Sequence, residues 1–167
     1  MTITVPSPPA TGIAPERFRK IFRHHPAGVV VVTVDAGSGP AGFTATSLTS
    51  LSLDPPLVSF GIGVGASSWP HLRTAGGAVV NFLGSDQEQL ARTFATSGID
   101  RFAAPTRWRR LPEGDPVLDG VTGWARLGIE QIVPAGDHRI VIGRVHDSWT
   151  GGARSPLVFH DGGYHSL

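Results

Sequence analysis

The 167 residues carry 14 Lys and Arg against 13 Asp and Glu, a net charge of +1 with both signs interspersed, so no electrostatic footprint for nucleic acid or an anionic membrane is present. The absence of cysteine excludes disulfides, thiolate metal sites and a cysteine nucleophile, and fits a reducing, cytoplasmic setting. At 40% hydrophobic residues, with 22 glycines and 14 prolines, the length suits one turn-rich domain with a substantial core.

Residues 1–12 carry Pro6, Pro8, Pro9 and Gly12 and read as a loose arm, leaving 13–167 as the domain. The N-terminal segment has neither the basic n-region nor the apolar h-region of a secretory leader, and no apolar run reaches membrane-spanning length. A short helix is expected near 15–24, with Pro15 in its first turn and Phe18, Ile21 and Phe22 on one face. Val29–Val34 is a β-branched run expected as a buried strand, and Asp35–Pro40 turns it into a hairpin with a strand beginning near Gly42.

After Pro55 and Pro56, Leu57–Ile62 reads as another strand. Ser67 and Ser68 before Trp69-Pro70 mark a helix start that Gly76-Gly77 ends, and Ala78–Leu83 returns as a strand. Ser85 to Glu88 has capping-box spacing, and Leu90, Ala91, Phe94 and Ala95 stripe the helix that follows. Residues 97–118 are irregular, with a solvated basic loop at Arg107, Arg109 and Arg110. From Gly123 the pattern alternates, placing Ala125, Leu127, Ile129 and Val133 opposite Arg126, Glu130 and Ile132. Pro134–His138 turns the chain into Arg139–Val145, and Leu157–Phe159 is a last strand before the Gly162-Gly163 turn. Many short strands with few short helices point to a mainly β, closed antiparallel barrel.

One stretch is unusual. Seven Ser or Thr hydroxyls fall within the sixteen residues Thr44–Ser59, set among aliphatic and aromatic side chains. Strand alternation puts Thr44 and Thr46 on one face and Phe43, Ala45 and Ser47 on the other, so only three or four hydroxyls can meet one ligand. Gly61-Ile62-Gly63 brings backbone close to whatever binds there. Ser67 and Ser68 either cap their helix or offer its N-terminus to a phosphate. The match of Gly61–Ala66 to a dinucleotide fingerprint is a weak reason for a Rossmann fold, because the next helix has room for only about two turns. The seven histidines show no metal spacing, and no nucleophile elbow is present. His138, beside Asp137 at a hairpin tip, stands out.

Taken together, FRKIFRHHPAGVVVVT, GFTATSLTSLSLDPPLVSF, SSWPHLRTAGGAVVNFL, QEQLARTFA, GDH with RIVIGRV, and PLVFHDGGY resemble the short-chain flavin reductases over roughly residues 15–165. The resemblance implies a six-stranded Greek-key FMN-binding split barrel, a homodimer, and an NAD(P)H-dependent reductase supplying reduced flavin to a separate monooxygenase. It implies FMN or FAD and NADH or NADPH as cofactors. Thr46, Ser47 and the Gly61–Ile62–Gly63 backbone would meet the isoalloxazine, and Ser67, Ser68, Thr93 and Phe94 the phosphate side. His138, Phe159, His160 and Gly162 would border the nicotinamide, with His138 positioning it. Ser50, Ser52, Arg101 and Tyr164 complete the cofactor-binding candidates.

Two departures from the family pattern stand out. Gly63–Ala66 lacks the basic residue many relatives carry, which shifts phosphate neutralisation to Arg92 or Arg101. His160-Asp161 replaces an aromatic-basic pair, leaving the choice between NADH and NADPH open. Other readings of the same barrel are a flavin- or haem-binding sensor or carrier without reductase activity, and a pyridoxamine-phosphate oxidase-like enzyme.

Overall fold

The computed structural model describes residues 12–152 and 154–167, so the expected arm lies, apart from Gly12, outside the described residues. In chain order the first elements are α1 (Pro15–Arg23), β1 (Ala27–Gly28), β2 (Val30–Asp35), β3 (Pro40–Ala45), β4 (Thr49–Ser52), β5 (Leu57–Gly63) and α2 (Trp69–Leu72). Then come β6 (Gly77–Phe82), a 3₁₀ turn (Ser85–Gln87), α3 (Glu88–Ala95), β7 (Trp108–Arg110) and β8 (Pro116–Leu118). The chain ends with β9 (Gly123–Ala135), β10 (His138–Thr150), β11 (Leu157–His160) and β12 (Gly163–Ser166).

The largest sheet runs β3-β2-β6-β9-β10-β5-β4, seven strands where six are expected. The addition is β4, which folds back on β5 with Thr49 opposite Ser59 and Ser50 opposite Val58. The pairings of this sheet are antiparallel. After β5 the chain crosses through α2 to place β6 between β2 and β9, the Greek-key step. Strand β5 is thus flanked by two antiparallel neighbours and followed by a four-residue helix, which removes the Rossmann reading of Gly61–Ala66.

Strand β2 shows why its sequence is continuously apolar: both faces are covered. Val30, Val32 and Val34 point into the barrel with Phe43, Phe60, Ile62, Leu127 and Val141. Val31 and Val79 point the other way, into a second core with Phe94, Leu118, Trp124 and Leu157 beneath α3. Among the described residues, three polar side chains are buried, Thr33, Ser68 and Asn81.

Three local expectations shift. In β9, Ile142 pairs Gln131 while Gly143 pairs Ile129, so Glu130 is an extra residue in a bulge. The bulge flips the alternation: Ile129 and Ile132 both pack on the barrel core, whereas Val133 is exposed. At α3 the reciprocal cap sits one residue earlier than Ser85–Glu88 spacing suggests. Gln87 Oε1 accepts the Gly84 N–H at 3.0 Å, and the Gln87 N–H donates to the Gly84 carbonyl at 2.9 Å. The basic segment is strand β7 rather than a free loop, with Arg109 paired to Asp119 and Arg110 to Asp35.

Candidate active site

On β5, Phe60 and Ile62 are 2% exposed and point inward, so Gly61 and Gly63 face outward. Without side chains they leave a flat strip of backbone. A Cβ on Gly61 would point at Ser47 Oγ, 3.5 Å away, and one on Gly63 at the His138 ring, 3.7 Å from Nε2. Strand β10 pairs His138 opposite Gly63, setting the imidazole at the end of the strip. Gly136 (φ +61°) allows the two-residue turn that brings His138 there.

This strip belongs to a cleft of about 420 Å³ that also takes in Phe43, Thr46, Ser47, Ser67, Phe94 and Arg101. Its lining contains no Asp or Glu. The Gly61 N–H donates to Ser47 Oγ at 2.9 Å, and the hydroxyl in turn makes only a long contact of 3.5 Å to the Gly61 carbonyl, which a closer acceptor can replace. Thr46 and Ser67 are exposed beside it. His138 Nδ1 and Asp137 Oδ1 lie 2.7 Å apart, fixing the ring from the side away from Gly63. The hydrogen bond from His138 holds the Asp137 carboxyl below its ordinary value.

Arg101 is the cation of this cleft. Its Nε donates to the Thr96 carbonyl, and its Nη1 donates to the Gly42 carbonyl and to Ser68 Oγ at 2.6 and 3.0 Å. No described carboxylate forms an ion pair with it, and burial lowers its pKa from the ordinary arginine value. A guanidinium partly removed from water with only neutral partners gains from an anion placed against it. Arg92, by contrast, is held by Glu88 at 2.6 Å and lies over the Tyr164 ring.

A second cleft, about 840 Å³, shares Thr46 and Ser47 with the first and extends to α1 and the β11–β12 turn. Phe159, His160 and Gly162 line it together with Phe18, Arg19, Phe22, Arg23 and His25. The turn has two successive left-handed residues, Asp161 (φ 48°) and Gly162 (φ 78°), the geometry of a tight hairpin. Arg23 clasps it. Its Nε donates to Asp161 Oδ1 at 2.7 Å, while the Asp161 N–H donates to the Arg23 carbonyl at 2.9 Å.

The fold therefore gathers most of the expected residues, in two adjoining groups. Thr46, Ser47, Gly61, Ile62, Gly63, Ser67, Phe94, Arg101 and His138 line the first cleft, and Phe159, His160 and Gly162 the second. Five lie apart. Ser50 and Ser52 sit on edge strand β4, and Thr93 Oγ1 donates to the Gln89 carbonyl within α3. Tyr164 stacks edge-on against Phe159 at 5.2 Å, and burial raises the pKa of its hydroxyl. Ser68 is 2% exposed and donates to the Gly42 carbonyl at 2.8 Å, so its hydroxyl holds α2 to β3. Thr44 is likewise spent inside the fold, donating to the Ala91 carbonyl at 2.6 Å.

The α1 side chains were not legible as site residues. Their signal was a helix with four cations, Arg17, Arg19, Lys20 and Arg23, against one acid, Glu16.

Residues 22–167 match the flavin reductase like domain. The chain belongs to the flavin reductase-like family. It is 47% identical to an NADH:FMN oxidoreductase of Rhodococcus qingshengii over 93% of this chain and 83% of that one. A flavin-dependent monooxygenase reductase subunit of Rhodococcus jostii is 32% identical over 93% of this chain and 79% of that protein. Among solved structures, an NADH:FAD oxidoreductase of Streptomyces globisporus, in complex with NAD and FAD fragments, superposes with a TM-score of 0.86. It is 34% identical, with 95% of this chain and 97% of that one covered.

The first cleft of this flavin reductase-like domain fits a flavin on its own chemistry. A tricyclic ring lies flat only where no Cβ stands up, as over Gly61 and Gly63. Hydroxyl donors border that strip, and a phosphate needs a cation without a carboxylate, as Arg101 is.

Proposed function

We propose that this flavin reductase-like protein is an NAD(P)H:flavin oxidoreductase, using NADH or NADPH to reduce FMN or FAD for a separate flavin-dependent monooxygenase. The observation carrying this reading is the acid-free cleft over Gly61 and Gly63, bordered by His138 and by Arg101. Bound there, the flavin supplies the acceptor, at N5, for a hydride from C4 of the reduced nicotinamide.

The chain's own work is positioning. The Gly61–Gly63 backbone would support one face of a bound ring. The Ser47 hydroxyl, oriented by the Gly61 N–H, donates to the ring's polar edge. His138, steered by Asp137, borders the strip and orients the donor's carboxamide. Holding two reactants at about 3–3.5 Å in line supplies much of the rate without covalent help from the protein. The second cleft, continuous at Thr46 and Ser47, gives the donor somewhere to lie, which a mere flavin carrier does not require.

A second copy of the chain is the partner we assign to the exposed apolar side chains of edge strand β4 and the turn after it, Leu51 and Leu53, which are 50% and 92% exposed. Light scattering is expected to give twice the chain mass; a monomer at micromolar concentration removes the assignment. A cytoplasmic setting is in keeping with a chain that has no cysteine to oxidise.

Mixing the protein with FMN or FAD and reduced pyridine nucleotide tests the activity: rapid loss of nucleotide absorbance that depends on both protein and flavin is expected. His138→Ala is expected to raise the KM for nicotinamide about three- to tenfold, the loss of one ordinary hydrogen bond, with a smaller change for flavin. Kinetics unchanged in both would remove His138 from the donor's site.

A further inference from the structure

Arg101 borders the flavin cleft from an irregular stretch. Between α3, which ends at Ala95, and β7, which begins at Trp108, the chain forms neither helix nor strand. Such a connection is ordinarily mobile, and a mobile backbone does not aim a long side chain. Bonds to the carbonyls of Gly42 and Thr96 and to Ser68 Oγ steady the guanidinium itself. They hold one end of the side chain; its Cα needs an anchor of its own.

The next residue supplies it. The Phe102 ring stands edge-on between two others, its centroid 5.2 Å from Phe94 at 83° and 5.3 Å from Trp108 at 81°. Both are the edge-to-face arrangement that aromatic quadrupoles favour. Phe94 is 0% exposed on α3 and is itself a lining residue of the flavin cleft. Trp108 opens β7, which pairs with β8, so the stack runs from the cleft through the loop to a strand. The loop backbone is tied on both sides of the ring. The Trp108 indole Nε1–H donates to the Phe102 carbonyl at 3.2 Å, and Asp100 Oδ1 accepts the Phe102 N–H at 3.0 Å. Beyond Trp108, the Arg110 guanidinium lies 5.5 Å from the ring centroid and bonds Asp35 Oδ2 at the end of β2 at 2.7 Å. Trp108 is only half-buried, within reach of water, so its N–H does not need this carbonyl. The bond it makes there steadies the loop more than the indole.

Resting on the reading of Arg101 as the cation for the flavin phosphate, we propose that Trp108, acting through Phe102, is a positioning residue for the 5′-phosphate of the flavin substrate. It lines neither cleft. Its indole holds the Phe102 carbonyl and ring, Phe102 holds the Cα of Arg101, and the guanidinium is thereby presented at a fixed reach. The basic segment around Trp108 thus takes part in selecting phosphorylated flavins over riboflavin.

The test is Trp108→Phe, which keeps an aromatic ring against Phe102 and removes the indole N–H. Dissociation constants of the whole protein, measured by flavin fluorescence quenching, are expected to rise about three- to tenfold for FMN and less than about twofold for riboflavin. Phe102→Leu fills the gap without a ring to stack and is expected to give the same split, so the test survives if the indole variant fails to fold. Both act through one guanidinium. In an Arg101→Ala background, Trp108→Phe is therefore expected to weaken FMN binding no further. A parallel loss of both flavins, or full additivity with Arg101→Ala, overturns the positioning role and leaves the phosphate assignment of Arg101 standing. If Arg101→Ala itself weakens FMN and riboflavin alike, that assignment fails and the positioning role with it.

Discussion

Arg101→Ala is expected to weaken FMN binding about ten- to a hundredfold while changing riboflavin binding by less than about threefold. The guanidinium is fixed by three neutral acceptors, the carbonyls of Gly42 and Thr96 and the hydroxyl of Ser68, and it borders the cleft without a carboxylate partner. A charge-assisted hydrogen bond is worth about 1.5–3 kcal/mol, and each 1.4 kcal/mol is a tenfold change in affinity. Riboflavin has the same tricyclic ring and no phosphate. The ratio of the two dissociation constants, read from flavin fluorescence quenching, therefore cancels any slackening of β3 and α2 that the lost bonds cause. Arg101→Lys keeps the charge but loses the planar fork, so an intermediate ratio is expected. Equal losses for FMN and riboflavin would show that Arg101 braces the cleft and does not touch the phosphate.

Arg101 also shows where sequence reading reaches its limit. The barrel was legible because its strands announce themselves: β-branched runs at β2 and β6, alternation at β10, and paired glycines or prolines at the turns. The glycine strip was legible for the same reason, since alternation sets Gly61 and Gly63 on one face and Ile62 on the other.

Side-chain direction outside the strands was not legible. Ser67 and Ser68 are neighbours of one type, yet Ser67 faces the cleft and Ser68 is 2% exposed and bonded to Gly42. No local pattern distinguishes them; the packing of α2 against β3 does. The Glu130 bulge likewise exchanged the places of Ile132 and Val133, because one added residue resets a period of two. Helix α1 read as an ordinary amphipathic element, and its open apolar face became visible only when nothing in the barrel covered it.

The largest effect on stability is expected from Asn81→Leu. Asn81 is 0% exposed, next to the last residue of β6, and its amide ties that strand to β2 and β8. Its Nδ2 donates to the Val31 carbonyl and Thr33 Oγ1 of β2, each at 3.0 Å, while its Oδ1 accepts the Leu118 N–H of β8 at 2.9 Å. Thr33 keeps a second partner in the Pro116 carbonyl at 2.6 Å, but the Leu118 N–H has no other acceptor among the described residues. Leucine supplies similar volume and no acceptor, so the loss is chiefly that of an orphaned buried donor plus the bonds to β2, about 3 kcal/mol in all. For a chain of this length the melting temperature should fall by about 6–12 °C at fixed protein concentration. A fall under about 2 °C would mean that the barrel does not depend on this bridge. Asn81→Asp separates the two halves of the amide. It retains the acceptor for Leu118 but turns a carboxylate toward the Val31 and Val79 carbonyls, where burial raises its pKa. A folded-state pKa above the unfolded one makes that variant most stable below the ordinary carboxylate pKa and progressively weaker as pH rises through the raised value. Its melting temperature relative to the native chain should therefore improve on acidification, whereas the deficit of Asn81→Leu should stay constant with pH.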